Sequence, residues 1–137
     1  MSGRRVAGFF YGLFMDVDLL RASGVSVSEA CRAYVDDFAL RIGRRATLVP
    51  STGARAYGMV IALRHADLDR LYGAPGLEDY RAEAVVARLL DGGLAAALCY
   101  NLGEPPAPDE RNAEYARRLA QLLVRLDFPS EYVASIG

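Results

Sequence analysis

The sequence predicts one small α+β domain, and three observations carry that reading. With 137 residues, 53% of them hydrophobic, the chain suits one domain with one core. Runs of β-forming residues, separated by Gly- and Pro-rich turns, occupy most of residues 6–102. An apolar pattern of helical period follows at 110–126. No internal repeat or dividing linker interrupts the chain, so residues 1–137 are read as a single domain.

The elements follow in order. Residues 6–11 form a continuous apolar run of β-formers, the pattern of a buried strand, and Gly12 ends it. Residues 13–16 make a loop or first turn, and 16–21 a short helical segment closed by Gly24. A strand is expected at 33–42, with Asp36-Asp37 as a bulge or bend. Gly43-Arg44-Arg45 turns the chain into a short piece at 46–49, and Pro50-Ser51-Thr52-Gly53 reads as a loop. The strand at 55–63 is apolar on both faces, which places it centrally. Residues 66–71 form a short helix, broken at 72–76. Strands at 80–90 and 94–102 flank a hairpin turn at 91–93. A proline-rich connection at 104–108 leads into the amphipathic helix, and the tail from 129 offers Tyr132, Val133 and Ile136 for docking.

Composition narrows the chemistry. The net charge of −1 gives no general affinity for nucleic acid or membrane. No apolar run approaches the ~18–20 residues that cross a bilayer. The Arg-containing start leads into a strand and its loop rather than a signal peptide, so a cytoplasmic protein is expected. All 16 basic residues are Arg, which removes lysine Schiff bases and the Walker-type phosphate lysine. Cys31 and Cys99 lie far apart in apolar stretches and read as two buried free thiols. His65 is the only histidine; at a strand–helix junction it reads as a helix-start or surface residue. No clustered His/Cys spacing suggests a metal site, and no cofactor motif is present. Carboxylates, backbone amides, Tyr, Arg and Ser remain as the groups available for function.

Several segments, in order, resemble the γ-glutamylcyclotransferase-like superfamily. Phe9-Phe10-Tyr11-Gly12-Leu13-Phe14-Met15 is similar to its opening strand and Tyr-Gly loop. Ala56-Tyr57-Gly58-Met59-Val60-Ile61 resembles its central strand, and Tyr80-Arg81-Ala82-Glu83-Ala84-Val85 its Tyr-Arg strand. Asp67-Leu68-Asp69-Arg70-Leu71-Tyr72-Gly73 resembles the helix that normally reads Leu-Asp-x-x-Glu-Gly. Ala97-Leu98-Cys99-Tyr100 is similar to a later strand, and the likeness spans about residues 6–101. It implies a small mixed, barrel-like β-sheet with flanking helices. It also implies a pocket at the Tyr-Gly loop, with Tyr11, Gly12, Leu13, Phe14, Met15 and Tyr72 as substrate-binding residues. In the family, the substrate's own α-amine attacks its γ-glutamyl carbonyl and releases 5-oxoproline and an amine. Positioning supplies much of the acceleration of such an intramolecular step.

Tyr72 stands where the resemblance puts the family's catalytic glutamate. A phenol of pKa ~10 is a poor base at neutral pH. Either the reaction is lost or another carboxylate has replaced it. Of the neighbouring acids, Glu78 and Asp79 sit in a Gly/Pro-bounded loop and read as solvated. Glu83 lies on a strand and is the candidate general base. The competing reading pairs it structurally with Arg81, two residues away on the same face. Tyr11, Tyr57, Tyr72, Tyr80 and Tyr100 are candidates to share the pocket, or else to fill core. Three functions follow: an enzyme acting on a small γ-glutamyl amide or amine, a non-catalytic relative binding a small ligand or a protein, or a structural partner subunit joined through the C-terminal helix. The expected partner is a small molecule, without metal or organic cofactor; the oligomeric state is left open.

Overall fold

The computed structural model describes residues 4–136. Five strands, β1 (Arg5–Phe10), β2 (Val27–Ile42), β3 (Ala46–Arg64), β4 (Tyr80–Leu89) and β5 (Leu94–Leu102), close into a barrel in the order β1-β3-β2-β4-β5. All neighbouring pairs are antiparallel except β1 with β5, which meet in parallel at Gly8 and Leu98 and complete the ring. Four helices decorate it: α1 (Val17–Ala22), α2 (His65–Tyr72), α3 (Ala113–Arg125) and α4 (Ser130–Ala134). The architecture is therefore α+β with a small mixed barrel, as the resemblance implied. Among the described residues, no helix is long and apolar enough to cross a membrane.

Strand alternation creates two cores. On β1, Phe9 turns into the barrel and Phe10 turns out under the helices. The barrel interior is filled largely by small side chains, among them Ala33, Ala46, Ala56, Ala87 and Ala97, with Val35, Leu48 and Cys99. The outer core is built from large ones: Met15, Leu20, Ile61, Leu63, Leu68, Leu119 and Leu123. Helix α3 supplies much of this second layer because Ala116, Leu119, Leu122 and Leu123 share one face. Its first turn is capped by Asn112, whose Oδ1 accepts from the Tyr115 N–H at 3.1 Å. Asp16 caps α1 by accepting from the N–H groups of Asp18 and Leu19, and its second oxygen takes Arg125 of α3 at 2.8 Å.

Three expectations need correction. Residues 50–53 are not a loop: they lie within β3, with Pro50 opposite Phe38. Strand β1 covers β3 only at residues 59–64, so the missing N–H of Pro50 interrupts no ladder on the uncovered side. The bend expected at Asp36-Asp37 is present as a register shift, with Asp37 at φ 66° and its carboxylate accepting from the Gly53 N–H. Strand β2 also begins at Val27, well ahead of the expected residue 33. In consequence Cys31 is half-buried rather than buried, because β4 meets β2 only at Ala33 and Tyr34. Cys99 is fully buried and free, and His65 is the first residue of α2, exposed and paired with Asp69.

Candidate functional site

Strand β1 ends in a tight 3₁₀ turn at Leu13–Met15, closed by bonds from Met15 N–H to the Gly12 carbonyl and from Asp16 N–H to the Leu13 carbonyl. Above this turn lies a cavity of about 250 Å³. Phe10, Tyr11, Gly12, Leu13 and Phe14 form one wall, and Arg44 and Arg45 of the β2–β3 turn with Ala46 of β3 another. Tyr72 of α2, Leu77, Tyr80 and Tyr115 of α3 complete it. Among the described residues, no Asp or Glu lines this cavity.

The wall is an aromatic chain. The ring of Phe14 meets Phe10 edge-on at 6.3 Å and Tyr72 edge-on at 5.8 Å. Tyr72 lies 5.8 Å from Tyr80 and stacks on Tyr100, with centroids 3.9 Å apart and planes within 5°. Tyr11 donates to the Tyr100 carbonyl at 2.7 Å, and Tyr80 donates to the Ala46 carbonyl. These bonds hold the rings against the barrel's end. Tyr57 does not join them; it packs with Tyr34, Phe128 and Tyr132 on another side.

Tyr115 closes the site, and sequence reasoning missed it because it reads as one more residue of an amphipathic helix. Its hydroxyl stands 2.4 Å from where a side chain at Gly12 would begin, so a larger residue there must displace it. The signal available was the Tyr-Gly pair itself, which asks what approaches the glycine.

Burial holds the Tyr11 and Tyr72 phenols well above their ordinary range, with Cys99 and neighbouring phenols adding to the effect. Burial likewise pushes Tyr80 up to about 12 and raises Tyr115, against which a hydrogen bond to the Leu13 backbone works. All four therefore stay protonated and neutral at physiological pH and are not bases. Burial also pushes the Cys99 thiol up to about 12, which removes it as a nucleophile.

The remaining predicted site residues separate. Met15 is fully buried in the outer core and does not face the cavity. Glu83 lies on β4 in the alternation that turns Val85 and Ala87 into the barrel, and is itself exposed at the barrel's end. It does not line the aromatic cavity. Asn101 donates to its carboxylate and in turn accepts from the Leu48 N–H at 3.1 Å, tying β4, β5 and β3 together. The expected Arg81–Glu83 pair does not form, because Arg81 donates to the carbonyls of Glu78 and Tyr80 instead. Glu78 accepts from the Gly76 N–H, and Asp79 pairs with Arg45 at 3.1 Å. Among the described residues, no group of three His, Cys, Asp or Glu side chains is placed to hold a metal ion.

A closed five-stranded barrel, helix-covered on one side, with a loop-lined cavity at the end of its first strand, defines a known class of fold. No family model and no curated protein matches the sequence. Solved structures do match. One described as a gamma-glutamyl cyclotransferase is 19% identical with a TM-score of 0.77, covering 98% of this chain and 89% of that one. An uncharacterised protein from Homo sapiens is 21% identical with a TM-score of 0.74, covering 97% and 88%. YkqA from Bacillus subtilis is 20% identical with a TM-score of 0.79; the match covers 96% of this chain and 52% of YkqA. The chain has the γ-glutamylcyclotransferase-like fold.

Proposed function

We propose that this chain is a small-molecule-binding protein on the γ-glutamylcyclotransferase-like fold, one that holds its ligand in the aromatic cavity without turning it over. The observation that carries this reading is the cavity wall: Tyr72 is stacked there, and among the described residues no carboxylate faces the space. Release of 5-oxoproline needs a group that takes the proton from the attacking ammonium and returns it to the leaving amine. A neutral phenol with a pKa held well above 10 does not take that proton. It remains a polar, protonated group in an otherwise largely apolar wall. Such walls, apolar with a few directed polar groups, are what ligand sites use.

One observation favours a second reading. Glu83 lies on the inward-turning side of β4 and is fixed by Asn101, so a γ-glutamyl compound seated toward that end would meet an oriented carboxylate. Its α-amine would then form the new C–N bond as the old one breaks. The proton would pass through Glu83 to the leaving amine.

One assay separates the two readings. The protein is incubated with a panel of γ-glutamyl amino acids and amines while 5-oxoproline is followed. Binding without turnover is the expected result. Turnover at enzyme rates that disappears in a folded Glu83→Gln variant would establish the second reading instead.

A further inference from the structure

The cavity is not wholly apolar. Arg44 and Arg45 belong both to its rim and to a larger charged groove of about 600 Å³ that continues from it past Arg81. The three guanidinium groups are not equivalent. Arg45 is engaged by Asp79 at 3.1 Å and by the Gly76 carbonyl at 3.2 Å, and lies over the Tyr80 ring. Arg81 is held by the carbonyls of Glu78 and Tyr80. The side chain of Arg44 has no hydrogen-bond or ion-pair partner among the described residues and is exposed.

Its backbone, by contrast, is clamped. Glu110 accepts from the Arg44 N–H at 3.1 Å, and Asn112 donates to the Arg44 carbonyl at 3.2 Å. Gly43 admits this clamp, since a side chain there would begin 2.5 Å from Pro106. Of the other acids in the same groove, Glu104 forms no ion pair with Arg44, and Glu110 is engaged elsewhere. The Glu110 carboxylate accepts from the backbone amides of Ala107 and Arg44 and forms no ion pair with the Arg44 guanidinium. A fixed backbone carrying a cation that makes no hydrogen bond or ion pair, at the mouth of an aromatic cavity, is an arrangement that selects an amphipathic anion.

We infer that the ligand is a small organic acid, its apolar body packed against Phe14, Tyr72 and Tyr80 and its carboxylate held at the rim by Arg44. The inference rests on the binding reading above and deepens it by naming the ligand class. A cavity of about 250 Å³ limits the body to one ring or a short branched chain, below the ~300–1,000 Å³ typical of sites for drug-sized ligands. Because Arg44 sits at an exposed rim, its charge is partly screened, and the preference should weaken as salt is raised.

The test compares acids with their neutral isosteres. Hydrocinnamate and isocaproate, each against its primary amide, are titrated into the intact protein by calorimetry at low salt. The acids should bind about tenfold more tightly than the amides, the size of one charge-assisted bond. Arg44→Met, an exposed substitution that leaves the clamped backbone in place, should bring that ratio close to one by weakening binding of the acids. Equal binding of acid and amide to the native protein, or an undiminished ratio in Arg44→Met, would overturn the inference while leaving the cavity a binding site. Absence of binding by either chemistry would overturn both the inference and the binding reading. Release of 5-oxoproline would overturn only the non-catalytic reading, and the acid-to-amide ratio would still decide this one.

Discussion

The barrel interior and the helix-covered outer core are packed by opposite rules. Inside, five strands leave a narrow space, and alanines at positions 33, 46, 56, 87 and 97 fill much of it beside Phe9 and Tyr11. Outside, Leu, Ile, Met and Phe side chains from β1, β3 and three helices interlock in a thicker layer. The difference teaches where size matters in each direction. The inner core is intolerant of added volume, and the outer core of lost volume. The cavity sits on the seam between them: Phe10 belongs to the outer core, Tyr11 to the inner one, and Tyr115 packs against both.

The contrast predicts opposite costs. Leu119→Ala, at a fully buried outer position, should destabilise by about 2–5 kcal/mol through lost transfer energy and a residual cavity. Ala87→Leu, at a fully buried inner position, should cost about 1–3 kcal/mol by overpacking. Chemical denaturation of both variants checks this. A benign Ala87→Leu would mean that the barrel dilates, and the comparison would fail.

A second prediction concerns the join between α2 and the start of β2. Asp67 is buried at 3% exposure and accepts from the Ser26 N–H and the Arg64 guanidinium, each at 3.1 Å. The Ser26 N–H, then the Arg64 side chain, hold its carboxyl below the ordinary carboxylate range. A depressed folded-state pKa stabilises the fold fully above the unfolded value of ~3.9, and the contribution is lost as pH falls through the folded value. Asp67→Ala should therefore cost about 1–3 kcal/mol near pH 7, mainly from the stranded Ser26 donor. The deficit relative to the native protein should shrink below about pH 4. A deficit that stays constant in acid would assign the effect to packing.

Much of this was readable in the chain, for identifiable reasons. Strong local signals gave the elements: the apolar run ending at Gly12, the Gly92-Gly93 hairpin, the 3.6-residue period of α3. One exception, Pro50 to Gly53, fails because a proline on an uncovered strand edge carries the same residue signature as a loop. The site was half legible. Tyr11 to Phe14, and Tyr72, announce themselves through a motif. Arg44 and Tyr115 do not, because each belongs to an ordinary turn or helix face and reaches the cavity only through tertiary contacts. Glu83 shows the reverse case. Its strand was placed correctly, yet strand position alone cannot tell whether a side chain at the barrel's end meets a cavity or an Asn101 amide.

The smallest effect is also the most pointed, because it tests the seam itself. The Gly12 backbone has φ −110°, a value any residue adopts, so an alanine there is opposed by space and not by conformation. Among the described residues, the close obstacle is the Tyr115 hydroxyl at 2.4 Å; the next Tyr115 atom lies at 3.7 Å, ordinary contact. Tyr115→Phe alone should cost about 0.5–1.5 kcal/mol, one net hydrogen bond, since the ring continues to pack against both cores. Gly12→Ala alone should cost about 1–3 kcal/mol by displacing that hydroxyl. In the Tyr115→Phe background the obstacle is gone, so Gly12→Ala should become nearly neutral. The double-mutant cycle should then return a coupling of about 1 kcal/mol or more. Additive costs would mean that the loop moves away from α3 as a unit, and that Tyr115 does not hold the cavity's shape.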